Sequence, residues 1–325
     1  MNENLKIVII GVYYGEFPKW MQYWLRSCAD NSTIDFLLIT DININDLPPN
    51  VSIIKMKFSE LHELIEKKLD MHVVLEKPYK LCDYRPLYGI LFQDYISDYD
   101  YWGHCDFDLI WGDIRYFIER YDIKIYDKFL PLGHLALYKN TTEVNNYYKL
   151  EGSKCGNYIE VLKSNDNFAF DETGGIYSIY EYNNIPMFTK RIFAEIKMFH
   201  KRFRLKHCDK NYKHQVFYYE NGKIYRAYEK KGKINTEQYI YIHFRRKLPI
   251  KDSKKWNEIT SFYITPNGFF PKENECIPNV KEIERYNHNP GFLFELFETI
   301  LFCMKNITKI KIKIENEIIT LKGNR

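Results

Sequence analysis

The sequence predicts an α/β fold: one large Rossmann-like unit, residues 1–250, followed by a smaller extension, residues 251–325. Three observations carry this. The chain opens on an apolar run, Ile7-Val-Ile-Ile10, then a glycine loop, an aromatic helix-like stretch and a second apolar run, Ile34 to Thr40. A further short run, Tyr101 to Cys105, is rich in aromatics and ends on Asp106-Phe107-Asp108. Past Pro249 the chain turns polar, with scattered Pro and Gly, and ends in an apolar helical stretch and an Ile/Lys alternation.

Composition narrows the class. The 325 residues carry a net charge of +4, too little for a whole-chain nucleic-acid binder, so no nucleic-acid partner is expected. Aromatic residues make up 17%, and tyrosine suits clefts that stack on bases and sugars as well as ordinary packing. The seven cysteines form no CxxC pair, which reads as reduced thiols rather than a disulfide framework. No secretory pattern and no uncharged run of transmembrane length is present. The expectation is a cytoplasmic protein, with peripheral contact to the inner membrane surface left open.

Each element follows in order. Leu5 to Ile10 reads as a buried parallel strand, and Gly11-Val-Tyr13-Tyr-Gly15 as the loop after it. Without a GxGxxG, Gly11 and Gly15 either approach a phosphate or simply make the turn. Phe17-Pro18 opens a helix carrying Trp20, Trp24 and Cys28. Val51 to Met56 is a strand and Phe58 to Leu69 an amphipathic helix. Lys80, Asp83 and Arg85 then fall within six positions, ahead of a helix near Leu87 to Ile96. Asp83 suits a base or ribose and Arg85 a diphosphate; the plainer alternative is a surface ion pair.

Asp106 and Asp108 lie where the central strand runs out. Two carboxylates one residue apart suit a hard divalent cation such as Mn²⁺ or Mg²⁺. Alternatively they cap a helix beginning near Leu109 and running to Tyr121. Phe129 to Tyr138 contains a strand, with His134 read as structural. Asp171-Glu172 before Gly174-Gly175 either meets sugar hydroxyls, one carboxylate serving as base, or caps a helix from Ile176. Met187 to His207 is strongly basic, read as a solvated face or as a helix meeting lipid or phosphate. Glu220-Asn-Gly-Lys223 marks a hairpin turn. Tyr239 to His243 is a strand followed by Arg245-Arg246-Lys247, a basic loop fit to neutralise a diphosphate, with His243 as a further metal ligand or a structural histidine. Phe292, Leu293, Leu296, Phe297, Ile300, Leu301 and Met304 form a helical stripe, expected to pack on the main domain or, alternatively, on a membrane.

This order resembles the GT-A glycosyltransferases. Lys80-Leu-Cys-Asp83-Tyr-Arg85, then Trp102-Gly-His-Cys-Asp106-Phe-Asp108, look like a bacterial branch associated with capsule or lipopolysaccharide synthesis. His243-Phe-Arg-Arg-Lys247-Leu-Pro249 is similar to the ending of retaining glycosyltransferase family 8, without the glycine usual inside it and with shorter spacing. The resemblance implies a mixed central sheet, a nucleotide-sugar donor, a glycan or lipid-linked acceptor, and Asp106, Asp108 and His243 on Mn²⁺ or Mg²⁺. It implies Arg85 and Lys247 at the diphosphate, with Gly11, Tyr13, Lys80 and Asp83 on the nucleotide side. Two rivals differ in visible features. A sugar-phosphate nucleotidyltransferase calls for a basic glycine-rich loop after the first strand, and Gly11 to Gly15 holds no Arg or Lys. A non-catalytic carbohydrate- or lipid-binding protein needs only the aromatics and the basic segment.

Overall fold

The structure, a computed structural model, describes residues 5–198, 200–206, 210–245, 247–250, 254–291 and 293–304. Strand β1 (Ile7–Val12) leads through the glycine loop to helix α1 (Met21–Ala29), then β2 (Asp35–Thr40), β3 (Val51–Lys55) and α2 (Phe58–Leu69). A 3₁₀ stretch, Pro78–Leu87, runs into two four-residue turns, α3 (Tyr88–Leu91) and α4 (Gln93–Ile96), rather than one continuous helix. Next come β4 (Tyr101–Cys105), β5 (Leu109–Trp111), α5 (Ile114–Arg120), β6 (Lys128–Phe129) and β7 (Leu135–Lys139). Helices α6 (Tyr158–Lys163) and α7 (Ile176–Tyr182) precede two short strands, β8 (Met187–Phe188) and β9 (Ala194–Glu195). The chain continues through β10 (Gln215–Glu220), β11 (Lys223–Lys230), β12 (Lys233–Tyr239), β13 (Tyr241–His243), β14 (Phe262–Thr265), β15 (Gly268–Pro271) and α8 (Val280–Tyr286). Residues 293–304 are helical.

The main sheet is mixed, in the order β3-β2-β1-β4-β7-β6-β8. Strands β3, β2, β1 and β4 run parallel; β7 is antiparallel to both β4 and β6. Both faces are covered, which is why β1 reads as a continuous apolar run. Ile7 and Ile9 enter one core with Trp24, Leu135 and Leu137. Val8 and Ile10 enter the other with Trp102, Ala136 and Tyr84. A second sheet, β12-β11-β10-β14-β15, is antiparallel, and β14–β15 bring residues from beyond position 250 into it. The hairpin turn forms at Asn221 and Gly222, both at positive φ, as a two-residue loop demands.

Two expectations are corrected here. Leu109 does not begin a helix. Leu109-Ile-Trp111 is fully buried and pairs as β5 with β13, because its two faces pack into two different cores. The helix starts at Ile114, capped by Asp113, whose side chain accepts from the Tyr116 N–H at 2.9 Å. The basic stretch Met187 to His207 is no helix where it is described; it supplies β8, β9 and an irregular loop, with Ile196 bridged to Leu205.

The terminal helix also departs from expectation. Residues 293–304 are helical, yet the apolar stripe faces outward: Leu293 is 80% exposed and Phe297 54%. The acidic side packs inward instead, because Glu295 finds Arg202 and Arg204 there. The Ile/Lys alternation over 305–322, in which a short strand is expected, lies outside the described residues. Among the described residues, no helix is long and apolar enough to cross a membrane.

Candidate functional site

Between β4 and β5 the chain crosses from the main sheet to a three-stranded one, β5-β13-β9. Asp106-Phe107-Asp108 is that crossing. Phe107 turns inward, buried against Trp24 at 5.2 Å and Tyr13 at 4.9 Å between ring centres, and its carbonyl accepts from Trp20 Nε1 at 2.7 Å. The chain bends at Phe107 and Asp108, and the side chains of Asp106 and Asp108 stay partly exposed, 27% and 31%. Gly11 makes this possible in part. A Cβ there would stand 2.7 Å from Phe107 Cζ, so Gly11 leaves room for that ring.

Strand β13 sets His243 opposite Leu109. Its Nε2 lies 3.1 Å from Asp108 Oδ1 and 3.7 Å from Asp106 Oδ2. The three side chains offer ligand atoms within 4.8 Å of one another. Burial pushes the His243 pKa down, but the hydrogen bond and charge of Asp108, with Asp106 adding to them, win and raise it. Asp108 is held low by the same contact, against the effect of its burial.

Arg85 ties this crossing to the second acidic pair. Its Nη2 donates to Asp106, and its Nη1 donates to Asp171 Oδ2 at 2.8 Å and to the Gly133 carbonyl at 3.2 Å. Asp171 is buried; desolvation pushes its pKa up to about 7, with Arg85 opposing and Glu172 reinforcing. Glu172 is raised by burial, against a hydrogen bond from the Gly133 backbone. Gly133 sits so close that a Cβ would meet Asp171 Oδ2 at 2.5 Å. Asp171 does not cap α7; Gly175 holds that position without a side-chain cap. A cleft of about 270 Å³ opens beside Arg85 and Asp106, walled by Val12, Tyr13, Tyr14 and Tyr79.

Other expected residues go elsewhere. Lys80 and Asp83 form a buried pair, Nζ to Oδ2 2.7 Å. Lys80 also donates to the carbonyls of Val161 and Asp166, while Asp83 accepts from the N–H groups of Phe168 (3.0 Å) and Phe170 (2.8 Å). Both are turned away from the cleft and fasten the segment that carries Asp171. Lys247 is exposed, Arg245 pairs with Glu195 Oε1 at 3.1 Å, and Arg246 lies outside the described residues.

Sequence reading overlooked a second group. His134, Glu195 and His243 are all buried and offer ligand atoms within 4.8 Å. The His134 Nδ1 is 2.6 Å from the Tyr241 hydroxyl, and its ring lies 4.5 Å from that of His243. Burial, then the charge of His243, hold the His134 pKa well down. A lone Glu in Phe-Ala-Glu195-Ile carries no local mark of this placement; β9 had to pair with β13 first.

Among solved structures, the chain is similar to the galactosyltransferase LgtC in complex with donor and acceptor sugar analogs. Identity is 10% over 58% of this chain and 75% of that one, with a TM-score of 0.33. It is also similar to the glycosyltransferase GlyE of Streptococcus pneumoniae TIGR4, at 12% identity over 57% of this chain and 45% of that one, TM-score 0.31. No curated protein matches. The family described as "Family of unknown function (DUF6625)" matches residues 9–273, and the chain belongs to that family.

Proposed function

We propose that the chain is a metal-dependent glycosyltransferase that moves a sugar from a nucleotide-diphosphate donor to a hydroxyl of a glycan or lipid-linked acceptor. One observation carries this reading: Asp106, which lines a tyrosine-walled cleft beside Arg85, converges with Asp108 and His243. The cleft lies beyond the carboxyl ends of β1 and β4, where open α/β sheets take their ligands.

The donor set fits a divalent cation. Two carboxylates and one imidazole nitrogen suit Mn²⁺ or Mg²⁺. A proton on His243 Nε2 is favoured by the two carboxylates around it, and a cation among the same atoms takes that proton's place. When bound, the ion supplies Lewis-acid stabilisation of the departing diphosphate. Arg85 then offers its guanidinium to the same diphosphate, already oriented by Asp106 and Asp171. Tyr13, Tyr14 and Tyr79 flank the nucleoside.

Asp171 and Glu172 act on the sugar side. With inversion, the acceptor oxygen bonds to the anomeric carbon, the carbon–diphosphate bond breaks, and one of these carboxylates takes the hydroxyl proton. With retention they orient the sugar. Lys80 and Asp83 serve by holding the 168–172 segment in place.

The test is a nucleotide-sugar panel by calorimetry and turnover, with Mn²⁺ and with EDTA. At least one donor should bind and release its nucleoside diphosphate only with metal. Asp106→Asn and Asp108→Asn should each remove that binding while the melting temperature holds. A panel with no metal-dependent binder, or variants that bind normally, would sink the assignment.

A further inference from the structure

The terminal helix, residues 293–304, has its amphipathic faces arranged opposite to a helix that seals a core. Its two charged residues are Glu295 and Glu298, and both are turned inward. Glu295 pairs with Arg202 Nε and with Arg204 Nη1 at 2.6 Å. The Glu298 carboxylate accepts from the Lys201 N–H at 3.3 Å and lies 3.8 Å from His200 Nδ1. Lys201 Nζ sits 4.6 Å over the Phe294 ring. What faces outward is Leu293, Leu296, Phe297, Ile300, Leu301 and Met304, between 38% and 80% exposed. Spacings of three and four residues make them one continuous stripe.

We propose that this stripe docks on an anionic lipid surface, a property separate from the donor chemistry above. Charge complementarity selects the occupant. The sequence after Met304 places Lys305, Lys309, Lys311 and Lys313 before its first acidic residue, Glu315. An apolar face followed in the sequence by four lysines suits a bilayer carrying acidic headgroups. The acidic residues that would repel such a bilayer are withdrawn to the far side, Glu295 into ion pairs with two arginines and Glu298 onto the Lys201 N–H. The helix is also tied to the candidate site. Its anchors Arg202 and Arg204 lie on a loop that returns to β9, through Lys197 N–H to the Arg204 carbonyl at 2.8 Å and Lys206 N–H to the Glu195 carbonyl at 2.7 Å. Strand β9 pairs with β13, which carries His243.

Co-sedimentation of the full chain with phosphatidylcholine vesicles, with and without phosphatidylglycerol, tests this without any nucleotide. Binding should be at least about tenfold stronger on the acidic vesicles and fall as salt rises. Phe297→Gln with Ile300→Gln should lower it by about the same factor with an unchanged melting temperature. Equal binding to both vesicles, or undiminished binding by the double variant, overturns the proposal. So does a wild-type dimer that the variant makes monomeric, which means self-association. A variant that melts lower without lipid also overturns it, since the stripe is then covered by the chain's own residues.

Discussion

Two ion-pair assemblies leave the same ten-residue stretch, Pro78–Leu87, and end in opposite surroundings. Lys80–Asp83 is closed: both side chains are at most 2% exposed, and their hydrogen-bonding capacity is engaged by Val161, Asp166, Phe168 and Phe170. Arg85 is half open. It bridges Asp106, 27% exposed at the cleft, and Asp171, 3% exposed behind it. The first assembly has nothing left to offer a ligand, whereas the second has one carboxylate at the cleft and a guanidinium beside it. Nearness in sequence to Asp106 therefore says little about which charge is free to act. Remaining exposure and unsatisfied valence decide.

Breaking the closed pair should give the largest effect. Asp83→Ala leaves Lys80 charged and buried with two backbone N–H groups unpaired, a loss of about 3–5 kcal/mol. Denaturant unfolding checks it. A cost under about 1 kcal/mol would mean that water reaches Lys80 and that the two assemblies differ less than described.

Breaking the open bridge should act on turnover more than on stability. Arg85→Ala should cost about 3–4 kcal/mol in the transition state, read from kcat/KM. The fold should suffer less, because Asp171, freed of the cation that lowers its pKa, can take a proton. Equal losses in stability and turnover would make Arg85 structural, like Lys80.

Per pH unit, the smallest effect is a pH dependence behind the open bridge. Asp171 has its folded pKa pushed up to about 7 by burial, from 3.8, so the folded state binds more protons in that window and stability falls as pH rises through it. Lys128 is buried with a pKa pushed down to about 7, from 10.5. There the unfolded state binds more protons, so stability rises from pH 7 toward 10.5. The pair predicts a minimum near neutrality. Lys128→Met should flatten the alkaline limb, whose slope is at most about 1.4 kcal/mol per pH unit, and Asp171→Asn the acid limb. Unfolding curves across pH that keep both limbs in both variants would refute this.

The sequence by itself determined whatever local sterics and burial period decide. The apolar run at β1 announced a strand covered on both faces, Asn221-Gly222 a two-residue hairpin, and the stripe in 293–304 a helix. It also singled out Asp106, Asp108, Arg85 and His243 as candidates, and the structure brings these four side chains together. Only the tertiary structure decided which groups meet. Asp108 and His243 are 135 residues apart, and their contact exists because β13 pairs with β5, a strand whose uniformly buried sequence also suited a helix. Glu195 joined His134 and His243 through a second pairing, of β9 with β13. Helical spacing in 293–304 defined two faces without saying which turned inward. Arg202 and Arg204, more than 90 residues earlier in the chain, settled it, because a carboxylate near two guanidinium groups is held more strongly than an exposed leucine is driven to cover.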